Sequence, residues 1–129
     1  MQEILILLIA IKQYIKQYHW QAKSYQEHIL ADKLEEGLED YIDEVAELSI
    51  VAELSEKQVK AKDLLDQAAQ CLGNEDKANL LSIMNLFVSL SEEVNAFEEK
   101  AEALGLKDLC GRLSNTILRK IYLIQLQDK

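Results

Sequence analysis

Proline is absent from the sequence, and glycine occurs only four times in 129 residues. Proline breaks helices and glycine weakens them, so their scarcity permits long helices. A β-rich chain of this length would normally carry more turn residues. The composition therefore predicts an all-α fold, and the length predicts a single domain over residues 1–129.

Cysteine is also rare, and its two occurrences, Cys71 and Cys110, lie far apart in the sequence. Without a CxxC pair or a dense cysteine pattern, neither a zinc site nor a disulfide framework is indicated. Both residues have apolar neighbours, which predicts that they are small core residues. Isolated cysteines are typical of reducing compartments, so we expect a cytoplasmic protein.

Basic residues are outnumbered, with 14 Lys and Arg against 23 Asp and Glu and a formal net charge of −9. Nonspecific binding to nucleic acid depends on basic side chains, so we expect no nucleic-acid partner bound through a basic tail. An acidic surface attracts metal cations, although it can equally serve only to keep the protein in solution.

One continuous apolar run, Ile4 to Ile11, stands near the start of the chain. It is far shorter than the ~20 residues that a membrane-spanning helix needs, and we expect no membrane partner. A helix that is apolar all round is buried on several sides. The run is therefore predicted to pack inside a helical bundle and also against a neighbouring subunit.

The apolar spacing predicts four long helices. The first runs from about Gln2 to Gln21 and the second from Tyr25 to Leu54, with Ser24 and Glu27 forming a capping box. The apolar stripe of the second helix follows steps of four and three residues: Leu34, Leu38, Tyr41, Val45, Leu48 and Ala52. Gly37 falls inside this pattern and is expected to weaken the helix by ~1 kcal/mol without interrupting it.

The second half of the chain predicts a short helix and then two long ones. Ser55 and Gln58 form a weaker capping signal, after which a short helix ends near Cys71 and Leu72, with Gly73 as its left-handed C-terminal residue. The third helix is predicted from an Asn74 cap to about Leu104, where Gly105 ends it, and the fourth from Leu106 to Gln127. The predicted fold is a ferritin-like four-helix bundle with a short helix in the connection between helices 2 and 3.

Five side chains form the candidate metal centre. They are His19, His28, Asp32, Asp43 and Glu47. Imidazole and carboxylate groups are ligands for iron, zinc and manganese. On a continuous helix the last four share one face, nearly opposite the apolar stripe, at ~100° per residue. Such a face can simply be solvated, but it also carries Ala46 and Ile50, which suit an interface with another subunit.

Residues 18–48 resemble the signature of the Dps mini-ferritins, the DNA-binding proteins from starved cells. The matching positions are His19-Trp20, His28-x3-Asp32 and Asp43-Glu44-x-Ala46-Glu47. The interval between His19 and His28 is shorter than in typical members. The resemblance implies a hollow shell of subunits, typically twelve, in which each subunit is a four-helix bundle.

The same resemblance implies where iron would be oxidised. The family's ferroxidase site lies at a two-fold interface, so His19, His28 and Asp32 would come from one chain and Asp43 and Glu47 from its partner. Trp20 would lie just behind these ligands, or else pack within the bundle.

Two functions are therefore expected from the sequence. The first is iron storage and detoxification, with Fe(II) oxidised by peroxide or dioxygen at catalytic residues His28, Asp32, Asp43 and Glu47, at a di-iron or mono-iron centre. Zinc or manganese would suit the same ligands. The alternative is a non-catalytic helical homo-oligomer that keeps the ferritin-like fold as a scaffold or interaction module.

Overall fold

The computed structural model describes residues 1–53 and 59–127. Within these residues the chain forms helices and no strand, which confirms the all-α prediction. The helices are α1 (Gln2–Trp20), α2 (Tyr25–Glu35), α3 (Leu38–Glu53), α4 (Ala61–Gln70), α5 (Leu80–Lys100) and α6 (Leu104–Leu126). The expected helix end at Leu54 and the capping signal of Ser55 and Gln58 lie outside the described residues.

The first hairpin pairs α1 with α2 and α3 in antiparallel orientation. Lys12 forms an ion pair with Glu39, and one turn further along α1 the Lys16 Nζ lies 2.9 Å from Glu35 Oε1. The later lysine of α1 pairs with the earlier glutamate, so α1 runs antiparallel to α2–α3. The seam between α1 and α2–α3 is thus lined by paired charges.

The second hairpin pairs α5 with α6, and a long connection joins the two hairpins. Asn79, just before α5, donates its backbone N–H to the Tyr14 hydroxyl near the end of α1, at 3.3 Å. The Lys107 Nζ near the start of α6 lies 3.5 Å from Glu98 Oε1 near the end of α5. Hence α5 runs antiparallel to α1 and parallel to α2–α3, so the end of α3 and the start of α5 lie at opposite ends of the bundle. The short helix predicted for this connection is present as α4.

Helix α1 is the central element of the core. It packs against α2, α3, α4 and α5, and most of its apolar run is buried. The short α4 joins the same core cluster through its buried Leu64 and Ala68. The prediction that the run packs inside the bundle is confirmed, and α4 adds cover for α1 from within the chain. Among the described residues, no helix has the length and apolar content needed to cross a membrane.

The predicted second helix is wrong as a single element, because the chain breaks it between α2 and α3. Gly37 has φ +83°, a left-handed conformation that glycine adopts without the strain a Cβ would bring. The break frees carbonyl groups at the end of α2, and Lys120 of α6 takes two of them. Its Nζ donates to the backbone oxygens of Lys33 and Glu36, both at 2.8 Å. Burial lowers the pKa of Lys120, against the opposing effect of the Glu36 charge.

Three further helix boundaries differ from the prediction. Asn79, and not Asn74, caps α5, since its side chain accepts the Ser82 N–H at 2.8 Å. That helix ends at Lys100, and Gly105 lies inside the first turn of α6. Several asparagine and glycine residues compete as caps in these loops, and local sequence does not decide between them.

The short helix α4 ends without a left-handed glycine. Among the described residues, only Gly37 is a glycine with positive φ. The prediction that Gly73 ends α4 in a left-handed conformation is therefore wrong. The core prediction holds for Cys110, which is buried, and fails for Cys71, which is exposed. Burial raises the pKa of the Cys110 thiol. Cys71 follows the last residue of a helix that buries only one face, so apolar neighbours in sequence did not place it in the core.

Candidate metal centre

The first turn of α2 is fixed by the predicted capping box. The Ser24 hydroxyl accepts the backbone N–H of Glu27 at 3.1 Å. The Glu27 carboxylate reaches back as expected, but it accepts the N–H of Lys23, at 2.9 Å, and not that of Ser24. These two bonds satisfy N–H groups at the helix start and hold His28 one residue further along.

A second set of hydrogen bonds ties this turn to the segment that precedes α5. The Gln21 side chain donates to the backbone oxygen of Asp76 at 2.6 Å and accepts the N–H of Ala78 at 2.8 Å. Sequence reasoning missed Gln21, because a contact with a segment so far along the chain has no local signature. The bonds help to fix the end of α1 that carries His19.

His19, His28 and Asp32 converge at this end of the first hairpin. The His19 Nδ1 lies 3.4 Å from one Asp32 oxygen, and the His28 Nε2 lies 3.8 Å from the other. The two imidazole rings meet edge to face with their centroids 4.2 Å apart. The shortened turn therefore brings His19 to the other two side chains, and these three predicted ligands are together.

The separations within this triad suit a bridging cation. One potential ligand atom from each side chain lies within 4.8 Å of the others. Hydrogen bonds from nitrogen to oxygen are ~2.7–3.2 Å, so the two His–Asp distances are long for direct bonds. Ligand atoms that each lie ~2.0–2.2 Å from one metal ion are separated by ~3–3.5 Å. A small closing movement would give this spacing, and in the described part of the chain no other group of three such ligands occurs.

The triad is open to solvent on one side. The His19 side chain is 25% exposed, that of His28 49%, and that of Asp32 53%. Three protein ligands leave coordination positions free for water, an oxidant or another protein group. The arrangement can therefore bind a cation and still admit a reactant.

Asp43 and Glu47 do not join the triad within one chain. Both are exposed on α3, one turn apart. The helical wheel that joined them to His28 and Asp32 assumed a continuous helix, and the break at Gly37 removes that fixed rotation. The single predicted arc is therefore corrected to two separate pairs, one on α2 and one on α3.

The intervening acid of α3 is occupied by a basic partner. The Arg112 Nη1 donates to Glu44 Oε2 at 3.1 Å, and its Nε donates to Asp108 at 2.8 Å. The hydrogen bond from Arg112 to Glu44 lowers the pKa of the Glu44 carboxyl. Asp43 and Glu47, in contrast, form no ion pair with any residue that the structure describes, so both carboxylates are available to an external cation.

Trp20 does not pack inside the bundle of its own chain. Its side chain is 74% exposed, at the last residue of α1 and next to His19. The alternative of bundle packing is therefore wrong for this residue. A large exposed indole one residue after His19 leaves an apolar surface at this end of α1.

The chain was compared with known proteins in three ways. No protein-family model, no curated protein and no solved structure matches it.

Proposed function

We propose that this protein binds Fe(II) at His19, His28 and Asp32 and oxidises it at a site that a second copy of the chain completes. The observation that carries the proposal is the convergence of three ligand side chains from α1 and α2 at distances suited to one cation. Iron is here the substrate and the stored product.

The chemistry of the three ligands supports this choice. Two imidazoles and one carboxylate form the donor set that holds non-haem Fe(II) while leaving positions open for an oxidant. Each Fe(II) ion gives one electron to dioxygen or peroxide, and added carboxylates stabilise the harder Fe(III) product. Zinc and manganese are competing occupants, because the same donors bind them.

The second copy is invoked because the chain does not supply more carboxylates in cis. Asp43 and Glu47 lie on α3, beyond the break at Gly37, and neither belongs to the ligand group that the described residues form within one chain. Both are exposed and without an ion partner among the described residues. In a two-fold dimer these two carboxylates of the second copy can reach the triad of the first, with Trp20 at the edge of the interface.

The fold is compatible with a ferritin-like assembly. Two antiparallel hairpins, a long crossover and a short helix within it match the order expected for a ferritin-like bundle. With the Dps-like spacing of residues 28–47, this supports a cytoplasmic homo-oligomer, built from two-fold dimers and extending to a dodecameric shell.

Fe(II) oxidation tests the catalytic part of the proposal. Fe(II) should be added anaerobically, then mixed with peroxide or air, while the near-ultraviolet absorbance of ferric product is followed. We expect Asp32→Asn and the double variant Asp43→Ala plus Glu47→Ala each to lose the protein-dependent rate. The matched control is Glu92→Ala plus Glu99→Ala, which removes two exposed carboxylates of α5. Native protein with no more oxidation than buffer would refute the proposal.

The shared nature of the site has its own test. Mixing His28→Ala with the Asp43→Ala plus Glu47→Ala variant should restore part of the activity. A mixed dimer has two shared sites, and one of them then combines the unchanged His28 of one chain with the unchanged Asp43 and Glu47 of the other. No recovery in mixtures shown by mass to contain mixed dimers would contradict a shared site. A native mass equal to one chain would remove it altogether.

A non-catalytic helical oligomer is the second candidate, and one observation favours it. Leu118, Tyr122 and Leu126 are exposed at successive turns of α6 and form an apolar stripe on its outer face. Exposed apolar patches of this kind mark protein contacts. An oligomer that binds no Fe(II), and that dissociates when Tyr122 is changed to Ser, would select this function.

A further inference from the structure

An open cavity lies beside the α1–α2 turn, and we call it the turn cavity. It has a volume of about 370 Å³ and is lined by Tyr18, Gln21, Lys23, Glu27, Lys77 and Ala78. None of these residues belongs to the triad. The size lies within the range of small-ligand sites.

Tyr18 contributes an unsatisfied polar group to the wall of the turn cavity. The residue is only 8% exposed, and its hydroxyl has no hydrogen-bond partner among the residues that the structure describes. A phenol is protonated at neutral pH and can donate one hydrogen bond. Buried polar groups are nearly always paired, so a hydroxyl of this kind indicates a partner from outside the chain.

The charges around the turn cavity favour an anion as that partner. Lys23 and Lys77 form no ion pair within the described residues, whereas the Glu27 carboxylate already accepts the Lys23 N–H. Two ammonium groups against one carboxylate leave the wall with a net positive charge. This contrasts with the acidic chain as a whole, whose formal charge is −9.

The backbone adds to this preference. Lys23 directly precedes Ser24, the N-cap of α2, and Ala78 directly precedes Asn79, the N-cap of α5. The turn cavity is therefore flanked by the N-terminal ends of two helices, where the partial positive charge of the helix dipole favours anions.

We propose that the turn cavity binds a small oxyanion, a carboxylate or a phosphate, through the Tyr18 hydroxyl and the ammonium groups of Lys23 and Lys77. None of these groups is a proposed iron ligand, and occupancy of the cavity requires no metal. A singly charged anion suits the single net positive charge of the wall.

Calorimetric titration of the purified protein tests this site, with inorganic phosphate and acetate as separate probes. Ionic strength is held constant with chloride. We expect saturable binding that Tyr18→Phe and Lys77→Gln each weaken about tenfold, the loss of one hydrogen bond to a charged group. Lys62→Gln, an exposed lysine of α4, is the matched control and should bind as the native chain does. Circular dichroism checks that each variant keeps its helix content.

The two probes distinguish the source of the oxyanion. Binding of phosphate alone assigns a phosphate site, and binding of acetate alone assigns a carboxylate site. His28→Ala should leave either affinity unchanged, because the triad takes no part. The proposal is overturned if neither probe saturates, or if Tyr18→Phe and Lys77→Gln bind the probe as tightly as Lys62→Gln does.

Discussion

Replacing Gly37 by alanine tests the break between α2 and α3 directly. With φ at +83°, an alanine would be forced into the left-handed region, which is unfavourable by ~1–2 kcal/mol. Nothing lies within 4 Å of the added Cβ, so the backbone alone carries this penalty. Loss of glycine freedom in the unfolded chain offsets ~0.4–1 kcal/mol of it. We expect Gly37→Ala to lower the free energy of unfolding by about 0.5–1 kcal/mol.

The opposite sign is expected if the helix is continuous. There, alanine in place of glycine would stabilise the protein by ~1 kcal/mol. Gly111→Ala gives the matched control, because Gly111 lies within α6 and also has open space around an added Cβ. Urea unfolding followed by circular dichroism, at one protein concentration, measures both variants. If the two substitutions raise the unfolding midpoint equally, the kinked conformation is refuted.

Three other predictions concern stability, metal affinity and thiol reactivity. Lys120→Met should lower the free energy of unfolding by ~2–3 kcal/mol, because two carbonyl groups at the end of α2 lose a charged donor; unchanged urea stability would contradict this. Burial lowers the pKa of Lys120, so the unfolded chain binds the Lys120 proton more tightly than the folded chain does. The free energy of unfolding of the native protein, relative to that of Lys120→Met, should therefore rise with pH between this lowered pKa and 10.5. Ser24→Ala and Asn79→Ala each remove a helix cap and should destabilise the protein by ~1 kcal/mol. Only Ser24→Ala should also weaken Co(II) binding, measured by visible absorption, because Ser24 caps the helix that carries His28 and Asp32. Equal effects of the two variants on Co(II) affinity would contradict metal binding at the start of α2. Cys71 should react with a thiol reagent in the native protein and Cys110 only after unfolding, which mass spectrometry can verify; rapid labelling of both would contradict the burial of the second.

The helices were predictable because their signals are local and repeated. Leu34, Leu38 and Val45 mark one face of the first hairpin, and all three are buried as expected. The Ser24 capping signal correctly fixed the start of α2. Periodicity and capping act over a few residues, so the sequence displays them directly.

The break at Gly37 was not predictable from the same signals. A lone glycine within a helical pattern usually lowers helix stability without ending the helix. What accompanies the break here is Lys120, a buried charge on α6 that binds the carbonyls of Lys33 and Glu36. A contact between residues so far apart is a property of the folded chain, and no local pattern encodes it.

The candidate centre divides in the same way. His28 and Asp32 were predicted to share a face from their spacing of four residues, and they do. His19 joins them because the short turn folds α1 back onto α2, which spacing alone did not determine. The relation of Asp43 and Glu47 to this triad depends on the break and on a second chain, and it stays a prediction.

The central place of α1 has a consequence for how the protein is made. Its apolar run is shielded partly by α5, which the ribosome adds about 70–95 residues later. At ~5–20 residues per second, the run waits roughly 4–19 seconds for that partner. During this interval α1 can be covered only by α2, α3 and α4, so the nascent chain exposes an aggregation-prone surface. Slow translation between α4 and α5 should therefore lower the yield of native protein, and a chaperone that holds apolar segments should restore it.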